Sequence, residues 1–179
     1  MDNTLKLIEF LEQAPNSKKI IQLIELAECE FSVDITKQID HLKGVWELRW
    51  SSSKSPFLNY SPLLDNLQII DPENDRGLNF LRPKGFLGNS LATNILAELN
   101  IIDQKRINVT FKKAGIIGPQ LLGKNIGLFS EIKKTQKGWL DTTVLTNKLR
   151  VCKGYKGTTF ALLKREDLLT SNFFNLIIN

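Results

Sequence analysis

The stretch that decides the fold is Gly44-Val45-Trp46-Glu47-Leu48-Arg49-Trp50-Ser51-Ser52-Ser53. Trp46, Leu48 and Trp50 lie on one face of an extended chain, and the residues between them lie on the other. Alternation with a period of two is typical of a strand with one buried face. Two indole rings on the same face require a large apolar interior. The stretch therefore predicts the first strand of a sheet that later segments must complete.

The residues before this strand predict helices. Apolar side chains recur at helical spacing over residues 3–13 and again over residues 20–27, and Pro15 separates the two segments. A further short turn of helix is predicted between residues 34 and 42. Each helix has one apolar face and too little shared surface to form a bundle with its neighbour. We therefore expect residues 1–43 to pack on the sheet or to plug one end of it.

The residues after the opening strand predict a succession of short strands. The clearest alternation places Ile107, Val109 and Phe111 on one face and polar residues on the other. The predicted strands are residues 67–71, 76–82, 92–103, 106–113, 126–133, 138–143, 148–153 and 158–165. A meander of this kind, whose last strand joins its first, forms an up-and-down antiparallel β-barrel of about eight strands. The predicted fold class is mainly β, with N-terminal helices.

Length and composition fit a single domain. With 179 residues, the chain can bury a core without disulfides or a structural metal. Apolar residues make up 42% of it and charged residues 24%, which is ordinary for a soluble globular protein. We expect helices at residues 1–43, the barrel at residues 44–166 and an apolar tail at residues 167–179. The tail either docks on the barrel or touches a membrane.

Charge and targeting signals bear on the compartment. The net charge is +5, and Lys and Arg occur in scattered pairs. This pattern suits an anionic membrane surface or a mildly basic solvated surface, and we expect no nucleic-acid partner.

Cys29 and Cys152 lie far apart, which indicates a reducing compartment. The first residues show no signal or transit peptide, and no apolar stretch approaches the roughly 20 residues that span a bilayer. We expect a protein of a reducing compartment that is soluble or peripheral to a membrane.

Residue patterns for catalysis are sparse. The one histidine, His41, has no neighbouring Cys or His with which to bind a metal, and we expect no metal and no cofactor. The phosphate-binding and esterase motifs are missing. Cys152 is expected to be a buried structural thiol. Glu98, Asp103 and Asp141 could pair for acid–base work only if the fold brought them together. We expect a protein that is not an enzyme.

The inward faces of the predicted strands enclose either a packed core or an apolar cavity. An eight-stranded barrel can fill itself or hold one small ligand. The candidate cavity residues are Trp46, Leu48, Trp50, Leu67, Ile69, Ile95, Leu99, Ile101, Ile107, Val109, Phe111, Leu128, Phe160 and Leu162. Three apolar loops favour the cavity, because exposed apolar loops are costly unless they line a mouth or meet a lipid surface. The candidate portal residues are Phe57, Leu58, Tyr60, Phe86, Leu87, Ile116, Ile117, Leu121 and Leu122.

The Gly44-x-Trp46 pair resembles the start of the lipocalin fold. There the glycine and tryptophan lie at the closed end of the barrel, and the indole packs against a basic side chain late in the chain. The resemblance implies that Gly44, Trp46 and Arg165, or Lys164 beside it, close the barrel. A cation–π contact of this kind is worth about 0.5–2 kcal/mol.

Two longer blocks resemble the plastid lipid-associated protein family, also called fibrillins or plastoglobulins, of plastids and cyanobacteria. The opening block, residues 42–53, is similar to the family pattern L-x-G-x-W-x-L-x-[YW]-[TS]-[TS]. The closing block, residues 149–162, is similar to L-R-I-x-R-G-x-x-G-x-x-F-V-L. The resemblance covers roughly residues 4–166. Two positions depart from it, because many members carry Tyr-Leu-Asp where this chain has residues 144–146 and an acidic residue where it has Tyr155.

This resemblance implies a lipocalin-like barrel that binds an apolar small molecule, such as a carotenoid, a quinone or an acyl lipid. Members of the family lie at thylakoid membranes and lipid bodies and are linked to photoprotection and membrane maintenance. Because we expect no transit peptide, the resemblance points to the cyanobacterial branch of the family. The protein would then be peripheral to the thylakoid membrane, on its cytoplasmic side. Two alternatives stay open. One is a scaffold with a packed barrel that supports an enzyme of lipid or quinone synthesis, and the other is a hydrolase or isomerase with paired carboxylates inside the cavity.

Overall fold

The computed structural model describes residues 2–85, 91–121, 124–133 and 137–178. The helices in this part of the chain are α1 (Asn3–Gln13), α2 (Lys19–Glu30), α3 (Ile39–Leu42) and α4 (Thr170–Ile178). The strands are β1 (Gly44–Ser51), β2 (Leu64–Asp71), β3 (Arg76–Pro83), β4 (Ala92–Ile101), β5 (Arg106–Leu121), β6 (Lys124–Glu131), β7 (Lys137–Leu145), β8 (Leu149–Gly154) and β9 (Thr159–Lys164). Short 3₁₀ turns lie at Pro56–Leu58 and Pro72–Asn74.

The strands form a closed antiparallel barrel. The strand order is β4-β3-β2-β1-β9-β8-β7-β5-β6, and β4 also pairs with β5, which closes the ring. The first strand meets the last, with Leu48 opposite Leu162. The ring therefore consists of eight strands, with β6 outside it. The predicted fold class, a mainly β chain with N-terminal helices and an antiparallel barrel of about eight strands, is confirmed.

The strand β6 is the exception to a simple meander. Residues Arg106–Thr110 of β5 pair with β7, whereas the later residues of the same strand, from Lys113 onward, pair with β6. The prediction that Ile116, Ile117 and Leu121 lie in an apolar loop is wrong, because residues 114–121 continue β5 between β4 and β6. We call residues 113–121 and 124–131 the lip, since this hairpin extends beyond the ring at one end of the barrel.

Two glycines allow the lip to form. A Cβ atom at Gly115 would lie within 2.3 Å, and one at Gly127 within 2.5 Å, of ring atoms of Phe129. The Phe129 ring therefore takes the space that side chains at these two positions would need. This packing on strand backbone explains why a glycine-containing apolar segment, which looks like a loop in sequence, is a strand here.

Helices α1 and α2 pack on the outside of the barrel. Leu7 and Leu11 of α1 and Ile20 of α2 are fully buried in one cluster with Val144 and Val151 of β7 and β8. The chain between α2 and β1 closes one end of the ring. Its residues Val33, Ile35 and Leu42 are buried in the interior cluster of the barrel. The N-terminal region therefore both covers a barrel face and plugs the closed end.

Helix α4 packs on the opposite side of the barrel. Phe173 and Phe174 are buried against the outer faces of β1–β4. The rings of Phe80 and Phe173 meet edge-on with centroids 5.1 Å apart, and the guanidinium carbon of Arg76 lies 4.1 Å from the centroid of Phe174. Among the described helices, none combines the length and apolar character needed to cross a bilayer.

We predict that Phe174→Ala destabilises the fold, because Phe174 is 1% exposed and packs between Arg76 and the barrel. The free energy of unfolding should fall by about 3 kcal/mol or more, as for other buried Phe→Ala changes. Urea denaturation followed by tryptophan fluorescence measures the change. The control is Leu169→Ala, whose side chain is 62% exposed. Equal stability of both variants would show that α4 does not dock.

Candidate ligand cavity

The barrel contains a cavity that lies between its closed end and the lip. The space open to the centre of a water molecule is about 220 Å³. The wall includes Ile70 of β2, Ala97 of β4 and Leu140 of β7, together with apolar residues of β5 and β9. Most of this wall is apolar, since the inward positions of five strands carry aliphatic or aromatic side chains. The interior of the barrel is thus only partly filled by its own side chains.

The structure places half of the candidate cavity residues on this wall. They are Ile69, Ile95, Leu99, Ile107, Val109, Phe111 and Phe160. Four more candidates, Trp46, Leu48, Ile101 and Leu162, belong to the packed interior around it. Leu128 lies on the lip, opposite Ile116, and is 79% exposed. The remaining two candidates, Trp50 and Leu67, face away from the interior.

The orientation of Trp50 corrects the prediction that it shares the face of Trp46. Between Leu48 and Trp50 the register of β1 against β9 shifts, so that Trp50 lies opposite Ala161. Ala161 belongs to the outer cluster under α1 and α2, and Trp50 packs there. The residue at the bulge, Arg49, donates from Nε to the carbonyl oxygen of Leu11 (2.9 Å) at the end of α1. The bulge therefore turns the second indole toward the helices.

Strand β2 also faces differently from the prediction. Leu67 and Ile69 belong to the outer cluster that α4 covers, although Ile69 also contributes to the cavity wall. Ile70 belongs to the interior cluster, and Gln68 lies opposite Trp46. Alternation could not separate the two faces of this strand, because α4 makes the outer face as apolar as the inner one.

Lys164, and not Arg165, is the basic partner of Trp46. The Lys164 Nζ atom lies 5.1 Å from the indole centroid, and Trp46 Nε1 donates to the carbonyl oxygen of Leu42 at 2.9 Å. Gly44 has φ +144°, and a Cβ there would lie 2.5 Å from Lys164 Cε, so the glycine makes room for the lysine. Burial lowers the pKa of Lys164.

Arg165 directly follows β9 and has a different role, because its side chain pairs with carboxylates outside the barrel. It forms a two-point ion pair with Asp167, with hydrogen bonds of 2.7 and 2.6 Å, and lies 3.4 Å from Glu47. Arg165 therefore does not pack on Trp46, and its contacts with the first strand are the ion pair with Glu47 and the hydrogen bond from its backbone N–H to the carbonyl oxygen of Val45 (2.8 Å). These carboxylates raise the pKa of Arg165, mainly through the hydrogen bonds to Asp167.

The described portal residues gather at the open end of the barrel, with one exception. Phe57 is 68% exposed, Leu58 lines the cavity, and Tyr60 stacks 4.7 Å from the guanidinium of Arg49. Ile116 is 48% exposed on the lip. Ile117 instead packs outward in the cluster under α4, because it pairs with Ala92. Phe86, Leu87 and Leu122 lie outside the described residues, and the side chain of Leu121 does too.

The polar groups of the cavity were missed by the sequence interpretation. Arg150 and Gln68 line it near the closed end, and Asn79, Lys156 and Thr158 line it elsewhere. Arg150 is fully buried and is the second residue of β8. The alternation of Arg150, Val151 and Cys152 placed a basic residue on the same face as the cysteine expected to be buried. That pattern was the available signal for an inward-facing arginine.

The carboxylates considered for catalysis lie apart from the cavity. Asp141 pairs with Arg106 (2.7 Å), Glu98 with Lys112 (2.5 Å), and Asp103 accepts hydrogen bonds from the backbone of its own turn. The described residues of the cavity wall include no Asp or Glu. Within the described part of the chain, no group of three metal-ligating side chains comes together. The cavity as described therefore offers no pair of carboxylates for acid–base chemistry.

The PAP_fibrillin family matches residues 10–163, which is most of the chain. The chain belongs to the PAP_fibrillin family. Comparisons with curated proteins and with solved structures give no match. The family resemblance predicted from the two sequence blocks is confirmed. In this PAP_fibrillin barrel the opening block lies on β1 and the closing block on β8 and β9, so the two blocks meet where the first strand pairs with the last.

We predict that the two cysteines react at very different rates. Cys29 is exposed, whereas Cys152 is buried, and burial raises the pKa of the Cys152 thiol. At a given pH less thiolate forms at Cys152, and the reagent cannot reach it. Titration of the native protein with a thiol-reactive disulfide at pH 8 should show one fast thiol, and a second only after denaturation. Fast reaction of Cys152 in a Cys29→Ser variant would contradict the buried position.

Proposed function

We propose that this protein binds one apolar small molecule in its barrel cavity, without catalysing a reaction. The observation that carries the proposal is the cavity of about 220 Å³ inside a closed barrel. Ligand sites of proteins are concave and mostly apolar, with a small number of polar groups that set the orientation of the ligand. The candidate ligands are a carotenoid, a quinone or an acyl lipid.

The cavity also favours binding over the scaffold alternative. A protein that only supports another enzyme has no need of a hollow interior, and a void in a core costs stability because its lining atoms lose packing partners. Here Ala97 and Val109 belong to the interior cluster and also line the cavity. Membership of the PAP_fibrillin family supports a lipid-associated role in the same direction.

We propose further that the open end of the barrel meets a membrane surface. Large apolar side chains are exposed there on separate segments of the chain, with Phe57 at 68%, Leu63 at 75%, Leu91 at 51% and Leu128 at 79% exposure. Exposed apolar groups of this size mark interaction sites when they cluster. Membrane contact at the mouth would let an apolar ligand pass between bilayer and cavity without crossing water. The proposed location is the cytoplasmic side of a photosynthetic membrane, in membrane maintenance or photoprotection.

We predict that filling the cavity abolishes ligand binding. Ala97 lies on the wall of β4 and is 6% exposed, so Ala97→Phe places a ring into the cavity. The affinity for Nile red, a neutral apolar dye, should fall at least tenfold in a fluorescence titration. The matched control is Asn100→Phe on the same strand, where the native side chain is exposed. Equal loss of binding in both variants, or unchanged binding in Ala97→Phe, would place the dye outside the barrel.

We predict that a charge on the lip weakens membrane binding. Leu128→Glu adds a negative charge where a leucine is 79% exposed, so co-sedimentation with phosphatidylglycerol vesicles should fall several-fold. The comparison is Leu5→Glu on α1, where the leucine is 58% exposed but lies away from the mouth. The Leu5 variant should bind vesicles as the unmodified protein does. If both substitutions have the same effect, net charge governs binding and the mouth has no special role.

A further inference from the structure

Arg150 is buried in the barrel interior with few partners. Its exposed fraction is 0%, and none of the ion pairs among the described residues includes it. Its Nη2 atom donates to Gln68 Oε1 at 3.0 Å and lies 3.5 Å from Cys152 Sγ. The guanidinium carbon lies 5.8 Å from the centroid of Trp46. The Nε and Nη1 atoms are buried and have no hydrogen-bond partner among the described residues.

This environment leaves a positive charge without compensation. An arginine side chain stays protonated in proteins, so it cannot lose its charge on burial as a lysine can. Buried charges are normally paired, and buried N–H groups normally have acceptors. Cys152 does not supply a negative charge, since burial raises its pKa and keeps it a thiol. Among the described residues, the interior therefore provides no anionic acceptor for this arginine.

The position of Arg150 shows where such an acceptor would come from. The residue is among those that line the cavity, and so is Gln68. It is one residue from the closed-end terminus of β8, opposite Leu145 and Leu162. The rest of the wall is mostly apolar, and it includes Leu99, Val109 and Phe160. A ligand that reached Arg150 would therefore present a polar group to the arginine and an apolar part to the rest of the wall.

We infer that the cavity takes an amphiphile with a carboxylate head and an apolar tail, and that Arg150 anchors the head through its unpaired N–H groups. This inference rests on the proposed binding function and names the ligand class for the same cavity. A carboxylate supplies the negative charge and only acceptor atoms, which is what Nε and Nη1 lack. Arg150 lines the cavity but exposes no surface in this structure, so a head group has to displace neighbouring side chains to reach its N–H groups, which a compact carboxylate does more readily than a bulkier phosphate-based head group.

Two other cations near the interior are weaker candidates for the anchor. Lys156 also lines the cavity, but it is exposed at the mouth, where water screens its charge. Lys164 lies at the closed end, and its Nζ already donates to the carbonyl oxygen of His41 at 2.9 Å. Arg150 combines burial, a place on the wall and unpaired donors.

The test compares oleate with oleyl alcohol, which share a tail and differ in the head, by displacement of Nile red. The unmodified protein should bind oleate at least tenfold more tightly. Arg150→Met keeps an apolar stem and removes the charge, so it should bind both ligands with similar affinity, close to that of oleyl alcohol for the unmodified protein. Lys156→Met removes the other positive charge on the described cavity wall and so tests the competing anchor. It should keep the preference for oleate within about twofold, because an exposed charge contributes little.

The outcomes separate the inference from the proposed function. A preference for oleate that survives in Arg150→Met, or is lost in Lys156→Met, would overturn the role of Arg150. Equal binding of oleate and oleyl alcohol by the unmodified protein would overturn the carboxylate head while leaving cavity binding intact. Failure of both ligands to displace the dye from the cavity would overturn the proposed function itself. If Arg150→Met does not fold, the comparison of oleate with oleyl alcohol in the unmodified protein still tests the carboxylate head, and Lys156→Met still tests whether that lysine is the anchor.

Discussion

The pairing of β1 with β9 is the contact on which the rest of the structure depends. It joins the first strand to the last and converts a nine-stranded sheet into a ring that encloses an interior. The register shift after Leu48 divides β1 into two parts. In the part near the closed end, Trp46 fills the interior, and in the part nearer the mouth, Trp50 faces the helices. One strand thus contributes an indole to each of two apolar clusters. The room left above Trp46 is the cavity.

Helices cover the barrel on two sides, and the strands beneath them bury their outer faces as well as their inner ones. Helices α1 and α2 cover β7–β9, and α4 covers β1–β4. Strands under a helix bury both faces, so their outward residues, such as Val144 and Leu67, are as apolar as their inward ones. In the lip only Ile117 is buried in the cluster under α4 among the described residues, and Ile116 and Leu128 are exposed. Burial thus decreases from the plugged end of the barrel toward the lip.

Charged groups also differ between the outer surface of the barrel and its interior. On the outer surface, the buried carboxylate of Glu47 is surrounded by Arg49, Lys84 and Arg165 at 3.6, 2.9 and 3.4 Å, so charge there is compensated. Inside the barrel, Arg150 has only neutral neighbours among the described residues. A cationic group at the closed end of an apolar cavity is suited to hold a head group, while apolar exposure at the mouth suits entry from a lipid phase. The proposed binding function joins these two features.

The fold class and the places of most strands followed from the sequence pattern, because alternation and turn residues are local properties of the chain, and the family followed from the resemblance of two sequence blocks to known members. Which face each residue takes did not. Trp50 turned outward at a bulge, Leu67 and Ile69 packed under α4, and residues 114–121 became strand, all through contacts with segments distant in sequence. The buried, partly unpaired state of Arg150 also arose only from the closed ring, since burial depends on neighbours that folding brings together.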